Sequence, residues 1–472
     1  MKPALTRVVV SLLCGLPVAV AAQPFDVVVQ RYVAQALESN LGLRSQDLQV
    51  ERSAAALDAA KARFWPELSL NARYTAAQGG RSIDFPIGQL LNPAYQTLNQ
   101  LLIAQGQQPR FGTVTDQSIA FQREREQDTR LTLRQPLYQP ALPAAVAAQR
   151  ELLGSEQFAR VALARQLKRD VTVGYAGWLM ALGNEQIVLS SSQLLAENLR
   201  VVTSLHANGR ITQDQVLRAQ TEQLAVQQQL GAVRGAVAQA RSYVNFLLNR
   251  PLQADLDVAI AEPVVATPVL PMEQLRDTAL QQRAELAQLD ALSKAADAQL
   301  RIARAALGPQ VALGVDAGTQ GEQYRLGSGY NFVAASLVLS WKFFDGGASH
   351  AAADEARIAA RRTALAREAT AQKVALEVQQ AIDALSIARD ALTTATARQQ
   401  AAEAALRIAG RKRDEGSISQ VEYLDARTAA TAAQQGLNTA RFELLQRSAD
   451  LDYATGSGEL PQPRTPAKDP LP

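Results

Sequence analysis

Glu422 and Asp425 stand three residues apart at the start of the last helix-forming run, so their carboxylates share one helix face. At a helix N-terminus either acid also favours the free N–H groups and the positive end of the dipole. Ser419-x-x-Glu422 reads as a capping box, and Thr212-x-x-Gln215 has the same form. Each follows a glycine, Gly416 or Gly209, placed to end the incoming helix. No other chemistry-bearing group assembles. The single cysteine is Cys14, and the two histidines, His206 and His350, fall near a helix end and a helix start as solvated or capping residues. A thiol nucleophile, a zinc site or a Cys/His metal cluster is disfavoured on that inventory, and no nucleophile–base pair suggests an enzyme. No catalytic residue and no cofactor are expected. Gly79-Gly80 and Gly346-Gly347 are turn glycines, because no Gly-Lys-Ser/Thr follows either pair. Trp65, Trp178 and Trp341 read as packing or interface anchors.

The elements that position these residues must be helical. Of 472 residues 47% are hydrophobic, but much of that share is alanine and only 5% are aromatic. Such a chain favours long helices packed closely side by side over one thick core. Its first residues read as an export signal, 1–22. Lys2 and Arg7 are the positive region, Val8 to Leu16 is an apolar run too short to span a bilayer, and Ala19 to Ala22 supply small residues for cleavage after Ala21 or Ala22. Lipid attachment at Cys14 is disfavoured by the bulky Leu13 before it. The whole chain carries 48 basic and 45 acidic residues, a net +3, and loss of Lys2 and Arg7 leaves +1. That balance gives no case for a nucleic-acid partner.

The chain is written twice. Gly209 opens GRITQDQVLRA and Gly416 opens GSISQVEYLDA, 207 residues later. Leu131 opens LTLRQPLYQPA and Leu337 opens LVLSWKFFDGG, 206 residues later. Pro66 (PELSLNA) pairs with Pro309 (PQVALGV), and Asn40 (NLGLRSQDLQ) with Arg283 (RAELAQLDAL), each at an offset of 243. The first copy therefore carries about 37 extra residues between its strands. The copies span 23–249 and 273–455. The Pro-rich stretch 250–272 connects them, and 456–472 reads as a mobile tail.

Each copy reads helix, strand, strand, long helix, turn, helix. Residues 27–64 are expected as one helix, and 273–307 as its counterpart. At 67–75, Leu68, Leu70, Ala72 and Tyr74 alternate with Ser69, Asn71 and Arg73, a strand with one apolar and one polar face. Residues 129–137 repeat the pattern, as do Val311 to Asp316 and Val333 to Phe343. Trp341, Phe343 and Phe344 would form an interfacial aromatic belt. Between the first two strands, 76–128 is a long loop whose Ile87 to Ala104 part could make a short helix. Proline-free runs from Ala144 to Ala207 and from Ala348 to Asp414 predict rods of roughly 95 Å. Each returns through its Gly turn into a shorter helix, 213–249 or 420–453. Four one-sided strands cannot close a membrane barrel, and an open sheet in lipid leaves unpaired edges. Several chains must then share one barrel, two supplying 8 strands or three supplying 12.

The duplicated plan, the strand openings at Pro66 and Pro309, Leu133 to Tyr138 (LRQPLY), Phe343 to Gly347 (FFDGG) and the two G-x-I-[ST] turns resemble the TolC family of outer-membrane efflux proteins. The resemblance covers roughly 27–455 and rests on the ordered set of motifs. It implies a mainly α fold with a membrane β-barrel. Duplicated strand/long-helix repeats would form a homotrimeric channel, with a 12-stranded barrel in the outer-membrane lipid of a Gram-negative cell and a helical tunnel across the periplasm. It further implies a passive duct for efflux or type I secretion. The partners would be a periplasmic adaptor (membrane fusion protein) and an inner-membrane pump of RND, ABC or MFS type. Residues 250–272 and part of the tail would correspond to an equatorial belt. Gly209, Ile211, Thr212, Gly416, Ile418 and Ser419 would be the adaptor-docking tips. Glu422 and Asp425 match the paired acids that line the entrance constriction, six carboxylates in a trimer, favouring cations. Ile418 departs from the pattern, standing where relatives can carry a basic residue that latches the entrance.

The alternative is a periplasmic coiled-coil adaptor or structural protein of an export complex. The four amphipathic strands and two hairpins oppose it, since an adaptor needs lipoyl-like domains and normally one hairpin. The cargo, whether drug, metal or protein, is not legible here, because ducts of this plan take it from the pump.

Overall fold

The computed structural model describes residues 23–121, 123–259 and 271–461. The export signal with Cys14, residues 260–270 of the connecting stretch and residues 462–472 of the tail lie outside the described residues. The chain divides into two compact units. One comprises the described parts of 1–53, 152–293 and 362–472, the other 54–151 and 294–361.

The first unit is helical. It holds α1 (Phe25–Ser39), the start of α2 (Leu41–Ala62), most of α4 (Ala141–Ala207), α5 (Gln213–Leu247), α6 (Met272–Gln282), the start of α7 (Ala284–Ala305), most of α8 (Ala348–Asp414) and α9 (Gln420–Thr455). Among the described residues no helix is long and apolar enough to cross a membrane. α4 and α9 run antiparallel in one register, held by polar bonds. Gln420 donates to Asn198 (3.1 Å), Arg427 to the Ser191 carbonyl (2.9 Å), Asn438 to the Met180 carbonyl (2.8 Å), Gln446 to the Val173 carbonyl (3.3 Å), and Arg169 to Asp450 (2.6 Å). Partners step from 198 down to 169 on one helix while they step from 420 up to 450 on the other, so straight helices stay in phase along this length. Gly183 makes room for this contact: a Cβ would meet the Asn438 Oδ1 at 2.4 Å, and that side chain would have to turn away from its partners.

The apolar core of this unit gathers at Phe25, Tyr32, Val171, Tyr175, Trp178 and Val244. The Tyr175 ring lies 5.7 Å from Phe25, 5.4 Å from Tyr32 and 5.8 Å from Trp178. Its hydroxyl donates to the Asp257 carbonyl (2.7 Å), and the Asp257 N–H donates to the Tyr32 hydroxyl (2.8 Å). These two tyrosines strap 251–259, the described part of the connecting stretch, onto the helices.

The helices expected at 27–64 and 273–307 are each broken in two, at Asn40 and Arg283. Both have extended backbone (ψ 125° and 119°), and both still donate their N–H into the preceding helix. These are equivalent positions of the two copies. Asn40 caps the next helix itself, its Oδ1 accepting from Gly42 (2.9 Å) and Leu43 (3.2 Å). Arg283 is 5% exposed and pairs with Glu285 (2.9 and 3.1 Å) and Glu377 (3.0 Å), while donating to the Ala454 carbonyl (3.1 Å). Its guanidinium sits 4.8 Å from the Tyr453 ring centroid. Burial, the largest single influence, would raise the Glu285 carboxyl, but the Arg283 hydrogen bonds and charge, a backbone hydrogen bond and the Tyr453 hydroxyl together outweigh it and hold the group below its ordinary value.

The second unit is built on an antiparallel sheet in the order β1 (Glu67–Ala76), β4 (Arg125–Tyr138), β5 (Gln310–Gly321), β6 (Asn331–Ser340). β1 and β6 are free edges. Registers such as Leu70↔Leu131↔Ala317↔Val333 and Leu68↔Leu133↔Val315↔Ala335 put directly opposed residues on the same face. That face is apolar and uncovered: Leu70 is 70% and Val333 78% exposed. The other face carries Arg73, Asp128 and Arg130 in one ion-pair cluster, and Thr132 donating to Asp316 (2.6 Å). Strands of 10 to 14 residues are each long enough to span a bilayer when tilted.

Three departures from the sequence reading occur here. β4 starts at Arg125, before the expected 129, because Gln127 and Asp128 find partners in Thr319 and Arg130 and so stay in the ladder. β6 ends at Ser340, leaving Trp341 and Phe343 beyond it, their rings 4.5 Å apart and tilted by 37°, with the Trp341 indole donating to the Leu307 carbonyl (3.0 Å). The 76–128 region carries a two-stranded ladder, β2 (Ser82–Phe85) with β3 (Gln117–Ala120), around α3 (Ile87–Ala104).

Candidate functional site

The two helix turns of the first unit are built alike. At the end of α4, Gly209 has φ +70°; its N–H donates to the His206 carbonyl (2.8 Å) and that of Arg210 to Leu205 (3.0 Å). At the end of α8, Gly416 has φ +71°; its N–H donates to Arg413 (2.9 Å) and that of Ser417 to Lys412 (2.8 Å). Both are Schellman turns, which need the left-handed residue that glycine supplies at least cost. Around both glycines there is open space, so the requirement is backbone conformation and not crowding. Ile211 and Ile418 are half-buried, while Gly209, Thr212, Gly416 and Ser419 are exposed.

The outgoing caps differ. Ser419 and Glu422 form a capping box: the Glu422 N–H donates to Ser419 Oγ (3.3 Å) and the Ser419 N–H to Glu422 Oε2 (2.9 Å). Thr212, expected to do the same with Gln215, makes no side-chain cap bond. The Gln215 N–H turns instead to the Thr212 backbone carbonyl (3.3 Å), and His206 Nδ1 lies 3.0 Å from the Ile211 carbonyl across the turn. The second turn is stapled by Arg413, whose guanidinium rests 4.1 Å above the Tyr423 ring.

Glu422 is thus bound in its own cap, whereas Asp425 is exposed and makes no hydrogen bond or ion pair among the described residues. Two further charges join this end of the helices, and sequence spacing could not reveal them because they meet only through packing. Glu222 on α5 is half-buried; burial pushes its carboxyl up, Arg427 opposes this, and the charge of Asp425 adds to it. Arg427 on α9 is 8% exposed, its guanidinium lowered chiefly by burial. The end of α9 therefore presents one free carboxylate, one capped carboxylate and a half-buried acid beside a buried cation. Among the described residues no group of three or more His, Cys, Asp or Glu is placed to hold a metal.

Residues 275–457, in the second copy, match the family model described as outer membrane efflux protein. No curated protein matches the chain. The fold is that of solved outer-membrane channels. The outer-membrane channel OprN superposes with TM-score 0.75 at 19% identity, covering 93% of this chain and 92% of that one. The CmeC outer membrane channel of Campylobacter jejuni gives 0.75 at 15%, covering 97% and 94%. The outer membrane protein VceC of Vibrio cholerae gives 0.72 at 18%, covering 91% and 96%. The TolC-like architecture expected from the sequence is therefore the architecture of this chain.

Proposed function

We propose that three copies of this chain form a passive exit duct through the outer membrane, serving a tripartite efflux or type I secretion system. The observation that carries it is the four-stranded sheet with two free edges and one uncovered apolar face. An isolated sheet of this kind has nowhere stable to sit, in water or in lipid. Edge-to-edge pairing of β1 with β6 of a neighbouring copy closes twelve strands, turns the apolar face to lipid and encloses the Arg73–Asp128–Arg130 face as a polar lumen. The family match over residues 275–457 and the fold of the channels above support the same reading.

The remaining parts take roles in that assembly. The Schellman turns at Gly209 and Gly416 serve as tips that dock a periplasmic adaptor, which links the duct to an inner-membrane pump. Asp425, with Glu422, supplies the carboxylates of a cation-favouring constriction at the duct entrance. The sheet speaks against the adaptor alternative, since a soluble hairpin protein has no use for an uncovered apolar face. Fractionation tests the assignment: the protein should be extracted from outer membranes by detergent as a trimer that dissociates only on heating. Recovery as a soluble periplasmic monomer would overturn it.

A further inference from the structure

The second unit holds a cavity of about 660 Å³ at the end of the sheet where α2 and α7 lead in and α4 and α8 lead out. Strand ends make its floor: Glu67 of β1, Arg134 and Pro136 of β4, Ala312 of β5 and Val338 of β6. Glu67 and Arg73 are an even number of residues apart on β1, as are Arg134 and Arg130 on β4. The cavity is therefore on the charged face of the sheet and not on the apolar one. The turn after α2 adds Arg63 and Trp65 to its lining, and Tyr138 comes from the end of β4. That turn is held in place. The Trp65 N–H donates to the Ala62 carbonyl (3.0 Å), and the Gln135 side chain donates to the Phe64 carbonyl (3.0 Å).

The lining offers two kinds of contact that the fold leaves unused. Trp65 is 75% and Tyr138 54% exposed, so two aromatic rings stand open. Arg63 and Arg134 make no ion pair or side-chain hydrogen bond among the described residues. Glu67 stands opposite Arg134 in the ladder yet forms no ion pair with it, so two cations face one acid. A cation just past the C-terminus of α2 suits the helix dipole, which accounts for Arg63. Arg134 lies in a strand, where no such dipole acts. A guanidinium recognises a carboxylate or sulfonate through paired hydrogen bonds, and an indole or phenol ring takes a second ring by offset stacking. The volume falls in the range of roughly 300–1,000 Å³ that suits a drug-sized molecule. Edge pairing of β1 and β6 with neighbouring copies adds strands alongside the sheet and leaves this face open to the lumen.

We propose that this cavity holds aromatic organic anions in passage through the duct, their rings on Trp65 and Tyr138 and their carboxylate or sulfonate on the Arg63 and Arg134 guanidiniums. The proposal rests on the trimeric duct above, which turns the cavity toward the lumen. The test is calorimetric titration of the full-length trimer in lipid nanodiscs with 2-naphthalenesulfonate, with empty nanodiscs as blank. The parent should bind one molecule per chain. It should bind methanesulfonate, the charge without the rings, and 2-naphthylmethylammonium, the rings with the opposite charge, at least about tenfold more weakly. Trp65→Ala should raise the Kd for 2-naphthalenesulfonate roughly tenfold, as should Arg63→Gln combined with Arg134→Gln. Trp65→Phe, which keeps a ring, should bind nearly as the parent does. Arg110→Gln removes a cation that does not line the cavity and should leave the Kd unchanged. Every variant is scored for heat-resistant trimer, and the probe comparisons on the parent decide the matter where a variant fails to assemble. Equal binding of the two naphthalene probes, or a Kd unmoved by the cavity variants, would overturn the proposal and leave the duct standing. Absence of trimers in the parent chain would remove both.

Discussion

The Glu422 carboxylate accepts the Ser419 backbone N–H at 2.9 Å, so the acid nearest the turn is engaged in holding its own helix while Asp425, one turn on, is free. The two carboxylates that share a face therefore differ in duty. Asp425→Asn should reduce the cation preference of the purified trimer in a planar bilayer more than Glu422→Gln does. Glu422→Gln keeps the capping-box form and should loosen the start of α9 only through the lost charge at the helix N-terminus, about 0.3–1 kcal/mol. Replacing both acids by alanine should also weaken block by divalent cations from the periplasmic side. If ion selectivity and block survive the double replacement, the acids serve only as helix-terminal groups.

Gly209 and Gly416 adopt left-handed backbone in open surroundings, so alanine at either costs about 1 kcal/mol of local strain without a clash. Charged or bulky replacements, such as Gly416→Arg, should abolish export while heat-resistant trimer is still recovered from membranes. Export assays read beside trimer yield decide the matter. A loss of trimer with export per trimer unchanged would make these glycines helix terminators and nothing more.

Arg283→Ala leaves Glu285 and Glu377 without their shared cation in a site where the guanidinium is 6% exposed, and should destabilise the helical unit by about 3 kcal/mol. The effect is pH-dependent. Glu285 titrates below its ordinary 4.5 in the folded chain, so its contribution is complete above that pH and is lost as pH falls through the lowered value. Thermal unfolding followed by circular dichroism should show parent and variant well separated at pH 7 and converging as pH falls below the ordinary glutamate range. A constant gap across that range would refute the ion-pair account.

Leu70 and Asn71 are neighbours on β1 that face opposite ways. Leu70→Arg should place a guanidinium toward lipid, costing about 2–4 kcal/mol, and should block insertion. Asn71→Arg, on the face of Arg130, should insert normally. Outer-membrane recovery of both variants gives the comparison, and equal recovery would contradict the assigned faces.

Much of this fold could be read from period and punctuation. The proline-free runs 144–207 and 348–414 mark the bodies of α4 and α8, and α3 falls in the 87–104 stretch where a short helix could be expected. The breaks at Asn40 and Arg283 are harder to read. Asn40 is a capping residue by type, masked by the periodic run around it, while Arg283 is a helix former and carries no stop signal. One is stabilised by a side-chain cap and the other by an ion pair reaching Glu377, nearly a hundred residues away in sequence. Thr212 shows the converse. Its spacing to Gln215 satisfies the capping pattern, yet backbone and His206 bonds settle that turn otherwise. Asp425 was visible from spacing; Glu222 and Arg427 were not, because their meeting depends on how three helices pack.

In the proposed ring, a sheet with one free edge on either side would make every copy both a donor and an acceptor of pairing, so that no copy could be left out. A chain that folds but carries a damaged β6 edge would still offer an intact β1, be taken into the ring, and leave it open to lipid on one side. Expressed equally with the intact chain, such a variant would leave only roughly one assembly in eight free of it, so that damage at the edge would be inherited as a dominant trait and not a recessive one.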